Sequence, residues 1–432
     1  MRYVILGNGV TGASAAFRLR ELDPDATITM VSGESTHHYS RPALMYIYMG
    51  HMTYKDTKPF EDFMWEESRI DLVRRWVTKI DHQQKQIETH GAEPITYDKL
   101  LLAIGSKPNK FGWPGQDLPG VQGLYDLLDL KLLYENTESG CEHAVLVGGG
   151  LIGIELAEML LSRGIRVTFL VREASFWNRV LPDAESAMIN ELIRHHGIDL
   201  RLETELKEIH AGDNGRVSAI TTGSGERLDC QLVGLTAGVS PNISMLEGSG
   251  IDTGRGILVD KQLRTSINDV WAAGDCAEIQ ATDGGRNTLQ QVWYTGKMQG
   301  RHAAETMCGS DAEYDSGIWY NSAKFFDLEY QTYGLVNFNT PGEQEIFWRH
   351  PTEHVLIRIV HKQGKVFGFN FMGTRYRHEV CERWLADETP VEEVVPKLKE
   401  AAFDPEFFTR YEEQAQASLL QQFAEQTKEQ TA

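Results

Sequence analysis

The sequence predicts an α/β protein: two doubly wound parallel-sheet units followed by a C-terminal α+β domain. Three observations carry that expectation. Glycine-rich loops at Gly7-Asn8-Gly9-Val10-Thr11-Gly12 and at Gly148-Gly149-Gly150-Leu151-Ile152-Gly153 each sit between an apolar strand signal and a helix signal. The stretch Ser266-Ile267-Asn268-Asp269-Val270-Trp271-Ala272-Ala273-Gly274-Asp275 reads as another strand, ending in Gly-Asp. From about residue 315 the pattern changes to hairpin-forming strands and then to a polar, helix-prone tail.

The elements follow in order. Tyr3-Val4-Ile5-Leu6 is a short buried strand entering the first loop. A helix is expected from Gly12 to about Glu21, ended by Asp23-Pro24-Asp25 with proline as the breaker. Ala26 to Val31 is the second strand, and Glu34 stands 22 positions beyond Gly12, near the spacing of an acid that accepts from ribose hydroxyls. Residues 52–90 are mixed and motif-free. Leu100 to Ile104 is a fully apolar run, and Gly105 at its end allows close backbone approach to a ligand. Residues 141–173 repeat the organisation of 1–34: the strand Ala144-Val145-Leu146-Val147, the second loop, a helix, and the strand Val167 to Val171 ending at Arg172 and Glu173. Val355 to Val360 and Val366 to Phe369 flank Lys362-Gln363-Gly364-Lys365, a hairpin signal. The last dozen residues of the tail are expected to fray.

In this context each loop is a Rossmann-like dinucleotide fingerprint. Its first glycine permits the tight turn, the second lets the backbone approach a pyrophosphate, and the third lets helix and strand pack, with the anion over the helix N-terminus. One loop implies one dinucleotide. Two imply a facing pair, most simply FAD and a nicotinamide cofactor passing a hydride. The chain then divides into a discontinuous FAD-binding domain (1–112 and 240–312), an NAD(P)-binding domain (113–239) and a C-terminal domain (313–432).

Composition narrows the class. The 432 residues carry a net charge of −20 with 41% hydrophobic and 24% charged residues, ordinary for a soluble globular protein. That charge argues against nucleic acid and anionic membranes as partners. Arg74-Arg75 and Lys107/Lys110 are locally basic and read as solvated surface. The N-terminus enters a strand at once, so no signal peptide is expected, and no run of about 18 apolar residues suggests a membrane span. The five cysteines, Cys141, Cys230, Cys276, Cys308 and Cys381, are scattered without a CxxC pair, as expected of reduced thiols in a cytoplasm. His37-His38 and His195-His196 lack metal-ligand spacing, so no metal is expected.

Together these motifs resemble the two-dinucleotide flavoprotein family (pyridine nucleotide-disulfide oxidoreductase-like) that includes glutathione reductase, ferredoxin and rubredoxin reductases, and apoptosis-inducing factor. The resemblance spans roughly residues 1–375. It rests on the two loops, the second extended to Gly153-x-Glu155, on Ala103-Ile104-Gly105-x-x-Pro108, and on Thr265 through Ala273-Gly274-Asp275. Within the family, Ile28 through Glu34 to Tyr39-Ser40-Arg41-Pro42 looks most like the ferredoxin-reductase and nitrite-reductase-flavin branch.

The resemblance implies that Gly7, Gly9, Gly12, Ala103, Gly105 and Gly274 cradle FAD, with Asp275 on the ribityl chain, Glu34 on the adenosine ribose and Arg41 near the phosphates. Gly148, Gly150, Gly153 and Gly238 would line the nicotinamide side. Glu155 would sit near both rings, the one candidate side chain for catalysis beyond the flavin itself. Leu289 to Gly300 resembles the segment running beside the flavin ring; Trp293 there reads either as a stacking neighbour or as a core or interface aromatic. The branch commonly has a lysine soon after the arginine–proline pair; Tyr46 falls there in this chain. The C-terminal α+β domain would be the family's interface domain, often dimer-forming.

Arg172 and Glu173 compete: an acid at the strand end favours the ribose 2′-hydroxyl of NADH, an arginine the 2′-phosphate of NADPH. The reading leaves both donors open. The family's disulfide reductases carry a redox thiol in the first half of the FAD domain, and this chain has no cysteine before Cys141, so disulfide chemistry is not expected. The expected activity is an NAD(P)H oxidoreductase passing electrons to a small iron–sulfur or rubredoxin-type protein. An oxidase or diaphorase using oxygen or quinone is the alternative, and a redox-responsive binding partner a third reading.

Overall fold

A computed structural model describes residues 1–138, 140–281, 286–337, 340–403 and 409–431. The first sheet runs in the order Val270–Ala272, Lys99–Leu102, Arg2–Leu6, Thr27–Ser32, Ile70–Arg74, with every pairing parallel. The second runs Asp199–Arg201, Arg166–Leu170, His143–Val147, Leu232–Leu235, Val121–Gln122, also all parallel. Parallel strands need both faces covered, which is why they read as continuous apolar runs.

The duplication extends to register. Leu6 pairs with both Val31 and Leu102, and Val147 pairs with both Leu170 and Leu235. Directly after each central strand a glycine turns out with positive φ, Gly7 at 110° and Gly148 at 118°. Their amides donate to the neighbouring strand, Gly7 to Val31 O at 2.8 Å and Gly148 to Leu170 O at 3.0 Å. A left-handed φ of this size is open to glycine and closed to most side chains.

The helices Val10–Leu22 and Leu151–Leu161 follow the two loops. The first helix packs against Trp293–Met307. A Cβ at Gly300 would fall 2.2 Å from Thr11 O, and one at Gly274 would fall 2.3 Å from Thr11 Oγ1.

The C-terminal sheet is wholly antiparallel, in the order Tyr320–Phe325, Leu328–Gly334, Lys365–Met372, Leu356–Lys362, Glu343–Arg349. The expected hairpin is present: Lys362 pairs with Lys365 across Gln363 and Gly364, with φ of 51° and 78°, both positive as a tight two-residue turn demands. Helices His378–Ala386, Val391–Ala401 and Glu412–Thr431 accompany this sheet. Phe325, Tyr330, Leu356 and Met372 join one buried cluster with Leu160, Ile189 and Leu192 of the second unit and with Leu44 and Tyr48. Arg358 crosses the same junction, fully buried, donating to both Glu185 carboxylate oxygens at 2.7 Å.

Three expectations change. The strand read over 266–273 shortens to Val270–Ala272, because Thr265–Val270 closes a turn with Asp269 at φ 62°. The stretch 52–90, read as motif-free, opens a ribbon of Val77–Asp81, Gln86–Thr89 and Ala92–Thr96. The tail does not fray from residue 421 but continues as helix to Thr431, with Ala415, Leu419 and Phe423 buried against the C-terminal core. Gln422 Nε2 also donates to Phe347 O at 2.8 Å.

Candidate functional site

A cleft of about 320 Å³ runs along the carboxyl edge of the first sheet. Gly7, Gly9, Glu34, Arg41, Ala103, Gly105 and Asp275 all line it. Gly12 and Gly274 lie behind it, where they permit close packing: a Cβ at Gly12 would fall 2.0 Å from Gly7 O. Gly9 is the N-cap of helix Val10–Leu22 and brings no capping side chain, and no heavy atom would meet a Cβ placed there within 4 Å. The first-turn amides therefore face open space at the positive end of a helix.

Beyond the loop a polar chain crosses the cleft. Glu34 accepts from Arg41 Nη2 at 2.6 Å, from the Leu127 amide at 3.1 Å and from the Tyr39 hydroxyl. Arg41 also donates to Tyr125 O at 3.2 Å and lies 4.8 Å from the centre of that ring. The Tyr125 hydroxyl accepts from the Ser106 amide at 2.8 Å and donates to Asp275 Oδ2 at 3.3 Å. Ser106 Oγ donates to the same oxygen at 3.2 Å and accepts from Gln291 Nε2 at 2.7 Å. Burial pushes the Asp275 carboxyl up from its ordinary range, against the hydrogen bonds that lower it. Glu34 and Arg41, expected to serve separate parts of a nucleotide, are ion-paired to each other. Tyr125 was missed: it sits in a stretch without motif and reaches the site only through the fold. Trp293 is neither core nor buried; it lines the cleft and is 40% exposed.

A second cleft, about 540 Å³, lies at the equivalent edge of the second sheet, lined by Gly148, Gly150, Arg172, Glu173, Arg179 and Gly238. Gly150 repeats Gly9: an N-cap without a capping side chain, beside open space. Glu173 Oε1 is shared by Arg172 Nε at 2.8 Å and Arg179 Nε at 3.4 Å. Gly153 and Glu155 do not line this cleft. The Glu155 carboxyl, half-buried in helix Leu151–Leu161, is pushed up to about 7 by burial first and by neighbouring Glu158 second, with Lys324 opposing. Lys324 Nζ pairs with Glu158 at 2.8 Å and lies 5.8 Å from the centre of the Tyr46 ring. A lysine from the C-terminal sheet thus reaches the place where the sequence offers Tyr46.

Both clefts fit a dinucleotide. Uncapped helix amides beside open space suit a pyrophosphate, and an acid within reach of the strand end suits a ribose. Cys276 is buried against Leu102 O and Ala273 O, its thiol pushed up to about 12 by burial, which makes it a small apolar group at neutral pH. His38, buried with Nδ1 2.9 Å from Asn8 O, is pushed down to about 4 by burial and stays neutral.

The sequence model of the family described as pyridine nucleotide-disulphide oxidoreductase matches residues 1–305. The chain belongs to that family. Rhodocoxin reductase of Rhodococcus erythropolis is 32% identical over 90% of this chain and 91% of its own length. Rubredoxin-NAD(+) reductase of Pseudomonas putida is 28% identical over 72% and 80%. Among solved structures, a ferredoxin reductase from Rhodopseudomonas palustris superposes with a TM-score of 0.78 at 25% identity, covering 86% of this chain and 91% of that one. This oxidoreductase is accordingly an enzyme of FAD and a nicotinamide nucleotide. Its five cysteines are free thiols in the structure. No described helix is long and apolar enough to cross a membrane.

Proposed function

We propose that the enzyme oxidises NADH or NADPH and hands the electrons to a small iron–sulfur or rubredoxin-type carrier protein. In this reading the first cleft holds FAD and the second the nicotinamide nucleotide, each domain bounded as the loops suggest. When both are bound, hydride passes from nicotinamide to flavin, and that chemistry belongs to the cofactors. The chain's own residues bind and orient. The amides after Gly9 and Gly150 hold pyrophosphate, Glu34 and Arg41 hold the adenosine half, and Asp275, steadied by Tyr125 and Ser106, fixes the ribityl side. Glu155 keeps a proton well above the usual carboxylate range, up to about 7, because burial and Glu158 outweigh the opposing charge of Lys324.

The observation that carries the carrier-protein reading is a stripe on helix Trp293–Met307. Trp293, Lys297 and Arg301 recur every fourth residue, so they share one face, and all three are exposed. Trp293 opens onto the flavin cleft, and Lys297 Nζ lies 5.6 Å from the centre of its ring. An aromatic at the cofactor edge with Lys297 over its ring suits an acidic redox partner, and gives a chain of net charge −20 a local positive field there. The names of the relatives support the same partner class. The scattered free thiols support a cytoplasmic setting, and we take 313–432 as the contact for a homodimer, to be tested by sedimentation.

The test is anaerobic stopped-flow reduction with NADH and NADPH, followed by a panel of acceptors. Fast reoxidation by a ferredoxin or rubredoxin, slowing as salt rises, is expected. Fast reoxidation by oxygen or quinone with sluggish carrier reduction would replace this reading with an oxidase. Slow turnover with every acceptor, together with a reduction-dependent change of oligomer, would make the protein a redox-responsive binding partner.

A further inference from the structure

We propose that Trp76 is the platform on which the adenine of FAD stacks, and that Gly33 is glycine to seat that indole. The inference rests on the reading that the first cleft takes FAD.

Strand order gives the direction. A dinucleotide laid outward from the Gly7–Gly12 loop crosses the carboxyl ends of Arg2–Leu6, Thr27–Ser32 and Ile70–Arg74 in turn. Its pyrophosphate takes the loop and its ribose takes the acid past the second strand, Glu34. The next position outward is the end of Ile70–Arg74, where Arg75, Trp76 and Val77 line the same cleft. The base therefore arrives at Trp76.

The indole is held for that use. Its backbone is pinned on both sides: the Arg75 amide donates to Ser32 O at 2.9 Å, and Trp76 O accepts from the His90 amide at 2.9 Å. One side of the ring lies on Gly33, where a Cβ would fall 2.3 Å from a ring carbon. Gly33 is absent from the positive-φ residues, so its backbone makes no demand for glycine; the ring above it does. Yet Trp76 remains 58% exposed while lining the cleft. An aromatic immobilised on one side and open on the other, beside the ribose acid, has the form of a stacking surface. Every base offers a π-face to such a ring, and one stack changes affinity by about tenfold to a hundredfold.

The experiment reconstitutes apo-protein with FAD and, separately, with FMN, which carries the flavin and one phosphate but no adenosine. Trp76→Ala should weaken FAD by about tenfold or more and leave FMN unchanged. Trp76→Phe should recover most of the loss. Gly33→Ala should reproduce the loss in the natural background and add nothing to Trp76→Ala, since both act through one ring. FAD should also quench an indole emission that Trp76→Phe removes. Unchanged FAD affinity in Trp76→Ala overturns the proposal. So does an equal loss for FMN, which would mean a general disturbance of the cleft. Failure of the unaltered protein to take up FAD would instead defeat the assignment of the cleft itself.

Discussion

Replacing Glu173 by alanine should shift coenzyme preference toward NADPH, and the size of the shift follows from the geometry. The carboxylate lies 2.8 Å from Arg172 Nε and 3.4 Å from Arg179 Nε, so the trio carries one net positive charge that rises to two when the acid is removed. A 2′-phosphate held by the same two guanidiniums would sit about 6 Å from the carboxylate; at the dielectric of water a dianion and a carboxylate at that range repel by about 1.4 kcal/mol. The water value is the appropriate one, because the side chains of Arg172, Arg179 and Glu173 are 57%, 72% and 24% exposed. NADH loses an acceptor for its ribose diol, a hydrogen bond of about 1 kcal/mol. The ratio of kcat/KM for NADPH over NADH should therefore rise between about tenfold and a hundredfold, and shrink as salt screens the charges. Arg172→Ala should move it the other way. Anaerobic flavin bleaching at low ionic strength measures both. A ratio unchanged by either substitution would show that this strand end does not touch the coenzyme, and the electrostatic reasoning would fall.

Two further outcomes test the structure. The Glu155 carboxyl is raised to about 7 from the 4.5 of a free glutamate, so its neutral form favours the fold: that contribution is whole below the unfolded value and lost as pH climbs through the folded one. Glu155→Gln, which mimics the protonated acid, should match the natural protein in thermal melts near pH 4 and exceed it at pH 8. Equal melting at pH 8 would contradict the shift. Arg358→Met should cost about 3–5 kcal/mol in urea unfolding by stranding the buried Glu185 carboxylate, and adding Glu185→Met should restore most of it. A single-variant loss under about 1 kcal/mol would mean that water reaches the pair.

The glycine loops were legible because their demands are strict: a positive φ at Gly7 and Gly148, and no room for a Cβ at Gly12. Spacing pointed to Glu34 and the resemblance to Arg41, and both line the first cleft, but their bonding was not legible. Glu34 and Arg41 are seven positions apart, and no periodicity says that they pair. Tyr125 and Lys324 reach the site through tertiary contacts alone, one from an irregular stretch and one from a strand of the third sheet. The ribbon at 77–96 escaped notice because its strands are mostly exposed and alternate poorly. In the tail, three apolar residues at four-residue spacing, Ala415, Leu419 and Phe423, lie in a Glu/Gln-rich background, enough to bury one stripe and too few to announce it.

The cluster shared by the C-terminal sheet, the second nucleotide unit and the segment Leu44–Tyr48 makes that sheet a splint. It packs against both units that carry a glycine loop, so the spacing between their two clefts is set in part from behind. A truncated chain ending near 312 would keep both glycine loops and lose the brace that aligns them. It would also open part of the apolar cluster that holds Leu160, Ile189 and Leu192, and such a fragment should be prone to aggregate.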